Sequence, residues 1–496
     1  MAEVVVIGAG VGGLSVAIRL AASGHRVTVH EQAESVGGKL GLLERDGFRF
    51  DTGPSLLTLP ELLADTLAAS GAVLHDVLNL RRLDPIARYR FGDGTWFDHP
   101  TDRAAFLGAV ESMAAGQGAG MGLLLDRAAA IWDASRQPFL ESPLHGWHTL
   151  ARQATHVGDL RTIAPWRSMR SLTRTYLSDA RLVNFVDRYA TYAGSDPRAA
   201  PAALLSILHA ERSGGAWYVE GGLRRIGEVL TERCNHLGVT VRVASAVVGV
   251  DVENGRAVGV QLADGDSQRA DVVVANADAR HLYGDLLAHS VGATLAARVA
   301  GVRQSLSGFV LCLGVKGLRP AMAHHTVLFP ERYDDEFDDL FGRGRVPRVV
   351  RDPAIYLSVP NDPAVALPGH QAWFVLVNAP PHDATGMAGV DWDAPGMAER
   401  EADRLLNLMA KRGVDVRGRV LFREIRTPAD LQRRTRAVGG SIYGTSSNGM
   451  RAAFLRPANR SPIPGLFLVG GSSHPGGGLP LVQLSAKIVA DLVGPA

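Results

Sequence analysis

The chain has 496 residues, 46% of them apolar, with 52 basic and 50 acidic side chains and a formal net charge of +2. That composition can fill at least two sizeable cores, and the interspersed charge creates no bulk field for a polyanion, which argues against nucleic acid as a partner. The lone cysteines Cys234 and Cys312 argue against a zinc site, an iron–sulfur site or a disulfide scaffold and for a cytoplasmic location.

Residues 3–32, EVVVIGAGVGGLSVAIRLAASGHRVTVHEQ, read as strand, tight turn, helix and second strand. The run Val4, Val5, Val6, Ile7 is β-branched, and Leu14, Ala17, Ile18 and Ala21 then recur at helical spacing. Gly8 permits the turn, Gly10 lets backbone approach a pyrophosphate, and Gly13 lets the helix pack closely on the sheet. The helix start presents free N–H groups to phosphates. Glu31, at the end of the second strand, is placed to accept hydrogen bonds from a ribose diol. A second glycine pair, Gly37-Gly38, followed by Lys39, suggests backbone lying against an elongated cofactor and makes FAD preferable to NAD. In GFRFDTGP, residues 47–54, Gly53 ends a stiff turn and can approach a ring system. The strand begins almost at Met1, which leaves no room for a secretory leader, and no stretch approaches the roughly 18 uninterrupted apolar residues of a membrane span. Any membrane contact is then with its surface.

Helical periodicities follow, over residues 61–69 and 104–113, with a hairpin over 88–98 turning at Gly92-Asp93-Gly94 and a glycine-rich stretch, 116–122, that is a loop or a badly capped helix. Over residues 164–177 the spacing predicts a helix with Trp166, Met169, Leu172 and Tyr176 on one face and Arg167, Arg170 and Arg174 on the other. Such a helix either faces the core or lies at a membrane surface. Residues 219–222 turn into a helix, and 239–243, 247–252 and 257–262 are short strands with a turn at Glu253-Asn254-Gly255. DVVVANAD, residues 271–278, is a further buried strand, as though the nucleotide domain resumes. Residues 309–315 and 373–377 read as strands of a second sheet and 398–412 as a helix. His324-His325 have no further ligand at a firm spacing, so no metal is expected. The acidic run Asp334, Asp335, Glu336, Asp338, Asp339 surrounds Phe337, Leu340 and Phe341 on a short amphipathic helix. One of these carboxylates turned into an apolar cavity would hold its proton more firmly and could exchange it with substrate. Near the C-terminus GGSIYG, 439–444, offers close-approach positions. In LFLVGGSSHPGGGLPLV, 466–482, Gly470 and Gly471 end a strand, and Gly476, Gly477 and Gly478 precede a helix start that can face the carbonyl edge of a flavin.

These stretches, together with TYAGSDPRAAPA from Thr191, HHTVLFPERYDDEFDDLF from His324 and RPANRSPIPG from Arg456, resemble the flavin-dependent carotenoid desaturase family of the bacterial phytoene desaturase type along the whole chain. Related amine oxidases typically carry an acid where this chain has Gly470-Gly471-Ser472. Lys39 stands where many relatives have arginine, which changes one phosphate contact. The resemblance implies an α/β fold: a Rossmann-type FAD-binding domain of the amine oxidase/carotenoid desaturase kind, with an inserted mixed-sheet substrate domain and a helical membrane-facing region. The FAD-binding domain is expected from residues 1–70, 214–300 and 428–496, the helical substrate and membrane-facing region from 71–213, and the substrate domain from 301–427. It implies a carotenoid substrate, hydride transfer to FAD, oxygen or a quinone as electron acceptor, and a peripheral location on the inner face of the cell membrane. Residues 51–67 look more like the 1-hydroxycarotenoid 3,4-desaturases than the phytoene desaturases. From the family's acidic helix, Asp338 is the preferred proton acceptor or charge stabiliser and Asp339 the second. The alternatives are a phytoene desaturase, a redox-neutral carotenoid isomerase, an amine oxidase and a non-catalytic carotenoid carrier.

Overall fold

A computed structural model describes residues 1–144, 157–287, 292–319, 322–342, 346–449 and 456–496. Its nucleotide-type layer is a five-stranded parallel sheet, ordered Leu466–Leu468, Val272–Ala275, Glu3–Ile7, Arg26–His30, Thr240–Arg242. Both faces are covered, which is why the central strands read as unbroken apolar runs rather than as alternations. Helices Val11–Ala22, Arg224–His236 and Leu479–Val493 pack on one face, through Leu14, Ile18, Val229 and Val489. A three-stranded antiparallel sheet, Val247–Glu253, Arg256–Leu262 and Ser267–Arg269, covers the other, where Val250 and Val260 meet Val5, Ile7 and Val273. Strands drawn from residues 3–30, 240–275 and 466–468 thus share one sheet, so chain segments far apart in sequence end at one edge.

The second layer is a mixed seven-stranded sheet, ordered Val420–Arg426, Ser307–Lys316, His370–Ala379, Ile355–Ser358, His325–Leu328, Ala87–Arg90, Trp96–His99. The two strands expected from 309–315 and 373–377 pair antiparallel, with Phe309 opposite Val377. The hairpin around Gly92-Asp93-Gly94 joins the edge of this sheet, Thr326 pairing parallel with Arg88. Helix Met397–Lys411 covers it through Ala402, Leu405 and Met409.

Helices Arg103–Met113, Gly118–Ser135, Ala180–Thr191 and Leu205–Gly214 build a third core around Phe106, Leu124, Phe185 and Leu208. The glycine-rich stretch 116–122 enters a helix at Gly118, and its start is held by the Glu111 carboxylate, which accepts from the Gly116 and Gly118 N–H groups at 2.6 and 2.8 Å. Residues 164–177 depart from expectation. Helix Val157–Ile163 stops where Ala164 takes φ +48°, and a new helix, Met169–Thr173, starts under the Ser168 cap. Across that break the helical spacing no longer counts faces: Met169 and Leu172 are buried, but so is Arg170, while Trp166 is 61% exposed. A continuous helix with one basic solvent face is therefore ruled out. No helix among the described residues is long and apolar enough to cross a membrane.

The acidic helix Tyr333–Phe341 turns Tyr333, Phe337 and Leu340 inward, and Glu336 goes with them. Its carboxyl accepts from the Ala354 N–H at 2.6 Å and from Asn378 Nδ2 at 2.8 Å, yet burial pushes its pKa up to about 7. Between the ordinary carboxylate range and pH 7 the folded chain therefore holds a proton that the unfolded chain has released, and stability falls as pH rises through that window, by on the order of 3 kcal/mol. A Glu336→Gln protein should lose this part of the pH dependence. Urea unfolding at pH 5 and pH 8 measures it, and an unchanged difference between the two would refute the assignment.

Candidate active site

The two glycine clusters meet. Gly8, at φ +94°, donates its N–H to the His30 carbonyl at 2.7 Å, and the Ala9 N–H donates to Glu31 Oε2 at 2.7 Å. Glu31 is buried, and its other oxygen accepts from the Ala33 N–H at 2.9 Å. A Cβ added to Gly12 would lie 2.8 Å from Asn276 Nδ2 and 3.2 Å from the Gly470 Cα, so turns some 460 residues apart come together where Gly12 leaves out a side chain. Gly38 would meet the Gly10 Cα at 3.2 Å, Gly53 the Lys39 carbonyl oxygen at 1.8 Å, and Gly477 the Tyr443 ring at 2.7 Å. The side chain of Asn276, held by a bond to the Val469 carbonyl at 3.0 Å, fills the space between Gly10 and Gly470.

These backbones border one cavity of about 700 Å³. Gly8, Gly10, Glu31, Gly37, Gly38, Lys39, Gly53, Gly470, Gly471, Gly476, Gly477 and Gly478 all line it. Gly13 does not; it serves the contact behind, where its Cβ would stand 2.0 Å from the Gly8 carbonyl oxygen. The cavity continues from this glycine-walled part into an apolar lobe bounded by Leu56, Trp132, Ile163, Leu204, Ile207 and Leu376. The starts of helices Val11–Ala22 and Leu479–Val493 both open onto it, and the first N–H groups of a helix have no acceptor within the helix. Close backbone approach, two helix starts and a buried acid at the end of the second strand fit a dinucleotide lying along the glycine wall.

Lys39 lines the cavity and also braces its wall. Its ammonium donates to the carbonyls of Ser441 and Ile442, both at 2.8 Å, which ties the 439–444 segment to the first domain segment. Burial lowers its pKa to about 8, with Asp278 opposing the shift. Residues not singled out from sequence complete the wall: Asn276 and Asp278 at the end of DVVVANAD, Arg434 beside Gly41 and Thr52, and Arg456. Buried Arg456 spans the C-terminal turns, donating to the carbonyls of Tyr443, Thr445 and Gly471 at 2.9, 2.9 and 3.1 Å. The polar end of DVVVANAD was the one visible signal for Asn276 and Asp278.

Asp338 and Asp339 are not brought to the cavity. Asp338 is partly exposed and pairs with Arg198 at 2.8 Å, while buried Asp339 pairs with Arg348 at 2.5 Å. Neither lines the cavity wall, because the helix presents Tyr333 there instead. Of the acidic run, Glu336 comes nearest, separated from the cavity by its partner Asn378. No cluster of three metal-ligating side chains occurs among the described residues.

The sequence profile of the flavin containing amine oxidoreductases matches residues 11–315. The chain belongs to this family of flavoenzymes. Full-length relatives of this flavoenzyme include the 4,4'-diapolycopene oxygenase of Methylomonas sp, 32% identical and covering 99% of this chain and 98% of that one. The 1-hydroxycarotenoid 3,4-desaturase of a Flavobacterium sp. is 31% identical over 99% of both chains, and the lycopene-forming phytoene desaturase of Pantoea ananas 29% over 99% of both. Among solved structures, an oxidoreductase from Methanosarcina mazei superposes with a TM-score of 0.66 at 20% identity, covering 99% of this chain and 100% of that one. A redesigned putrescine oxidase gives 0.66 at 14% identity, covering 99% and 98%. At such identities these two show the fold: a flavin-binding α/β domain with an inserted sheet domain. Family membership and the glycine wall agree on a flavin as the cofactor.

Proposed function

We propose that this flavoenzyme is an FAD-dependent carotenoid desaturase, which introduces a carbon–carbon double bond into an acyclic or monocyclic carotenoid, in its specific form by 3,4-desaturation of a 1-hydroxycarotenoid. The observation that carries the reading is one cavity in which a glycine-walled dinucleotide cradle runs on into an apolar lobe. FAD rather than FMN is supported by Glu31, which lines the far end of the cradle where only an adenosine ribose would need an acceptor. The carotenoid names of the full-length relatives support the substrate class.

A bound flavin supplies a two-electron acceptor for a hydride equivalent. Desaturation also releases a proton from the neighbouring carbon, and dioxygen or a membrane quinone takes the electron pair, giving hydrogen peroxide or the quinol. The protein's own part is positional. Leu56, Leu376 and Ile207 hold the hydrocarbon part of the chain, which offers nothing polar to grip along its length, and the cavity aligns it with the glycine wall. Asp338 has no place in this reading, so an Asp338→Asn protein is expected to reduce its flavin with substrate within about twofold of the wild-type rate. A loss beyond tenfold, with flavin content retained, would restore that aspartate to the mechanism.

Oxygenation of a carotenoid end group is a second reading, favoured by the relatives named as oxygenases. Single-turnover flavin spectra without oxygen, together with the masses of the products formed in air, separate the possibilities. Desaturation leaves reduced flavin and a product lighter by two hydrogens; oxygenation adds oxygen. An isomerase would leave both mass and flavin unchanged, an amine oxidase would bleach with an amine, and a carrier would contain no stoichiometric flavin. We also place the protein in the cytoplasm, peripherally on the inner face of the cell membrane, because exposed Trp166 stands next to the cavity-lining residues Ile163 and Pro165. Flotation with liposomes tests this, and protein that stays entirely in the aqueous fraction would refute it.

A further inference from the structure

We infer that the apolar lobe contains a built receptor for a neutral oxygen atom, a hydroxyl or carbonyl, on one end of the substrate, centred on the guanidinium of Arg188. This rests on the carotenoid reading above and specifies which kind of carotenoid the cavity accepts. Arg188, on helix Ala180–Thr191, is 8% exposed and lines the cavity. It donates from Nη1 to the Tyr192 hydroxyl at 2.8 Å, and among the described residues no carboxylate stands at ion-pair distance from it. Its guanidinium lies over the rings of Tyr192, Tyr356 and Tyr89, at 5.0, 5.5 and 5.8 Å from their centroids. Ring faces stabilise the charge but accept poorly from N–H groups, and a guanidinium carries five N–H donors in a rigid fork. Leaving such donors against hydrocarbon is costly, so an unsubstituted polyene in this lobe would strand them. A substrate oxygen would not.

The surroundings favour a neutral oxygen over a carboxylate. Glu211, 2% exposed and also cavity-lining, accepts from the hydroxyls of Tyr189 at 2.5 Å and Tyr192 at 3.3 Å. Tyr192 thus links the acid to the arginine, and a second anion here would face Glu211 within the same buried cluster. The opposite side of the cluster fixes where the oxygen sits relative to the chemistry. The Tyr356 hydroxyl bonds to His325 Nδ1 at 2.7 Å and to Ser55 Oγ at 2.6 Å, and Ser55 follows the Gly53-Pro54 turn of the glycine wall. An end group held between Arg188 and Tyr356 would therefore lie beside the cradle, which directs reaction to bonds near the oxygen-bearing end rather than to the middle of the chain.

The test compares, for the flavin-loaded protein, kcat/KM with a 1-hydroxylated acyclic carotenoid and with the hydrocarbon of the same skeleton. The wild type should prefer the hydroxylated substrate, and Arg188→Met should reduce that preference by about 10- to 100-fold, the range expected for one hydrogen bond to a charged group. Tyr192→Phe, which deletes a single hydroxyl and keeps the ring, should reduce it by several-fold and serves where the arginine variant fails to retain flavin. Equal losses on both substrates, or a wild type without preference, would overturn the receptor while leaving the desaturase reading intact. A wild type that retains flavin but converts neither substrate would overturn both.

Discussion

A Gly13→Ala protein is expected to purify with at least a tenfold lower flavin content and a depressed melting temperature. Local propensity argues the opposite: position 13 lies inside helix Val11–Ala22, where alanine is favoured over glycine by about 1 kcal/mol. The tertiary contact decides the outcome, because the new methyl group would stand 2.0 Å from the Gly8 carbonyl oxygen, a backbone atom that cannot rotate aside. Relief requires the helix to move away from the turn, and overpacking of this kind costs about 1–3 kcal/mol. The same movement displaces the helix start from the Gly8–Gly10 turn that forms the cradle, so cofactor loss should exceed what the stability change alone would produce. Flavin absorbance per mole of protein and a thermal melt measure the two effects. Wild-type flavin content in the Ala variant would falsify the role assigned to this contact.

Why these glycines were legible in the sequence, while other parts of the site were not, follows from what each residue type constrains. Gly8, Gly13, Gly38 and Gly53 stand where backbone meets backbone, and only one residue type satisfies that, so the requirement is written in the chain itself. The parallel strands were legible for a similar reason, since burial on both faces demands the unbroken runs at residues 4–7 and 272–275. Residues 164–177 misled because helical spacing assumes one continuous axis, whereas Ala164 at φ +48° resets it. On the acidic helix the useful signal was spacing rather than charge: Glu336 lies three residues after Tyr333 and four before Leu340, on the apolar face, and it is the acid that turns towards the cavity side. Arg188 and Glu211 carried no local signal. The significance of Arg188 depends on Tyr356, whose ring meets it from another part of the chain and whose hydroxyl bonds to Ser55.

Replacing Arg170 with leucine should destabilise the protein by about 3–5 kcal/mol, the typical cost of removing one partner from a buried ion pair. Its guanidinium contacts Asp187 at 2.7 Å, and that aspartate is fully buried; Asp334 meets it on the outer side. Burial already pushes the Asp187 carboxyl up to about 6, with Arg170 the largest influence drawing it back down. Without the arginine the carboxyl rises further, so the folded state holds a proton that the unfolded state has released. The cost is then smallest near the ordinary carboxylate pKa and grows as pH rises through the folded value. Urea unfolding of Arg170→Leu should accordingly show a smaller deficit at pH 5 than at pH 8. The double variant Arg170→Leu/Asp187→Leu should recover much of the loss, because it removes the stranded charge as well as its partner. A single-variant deficit under about 1 kcal/mol and independent of pH would mean that solvent reaches Asp187, and the link from this helix to the acidic helix at Asp334 would then carry little of the fold's stability.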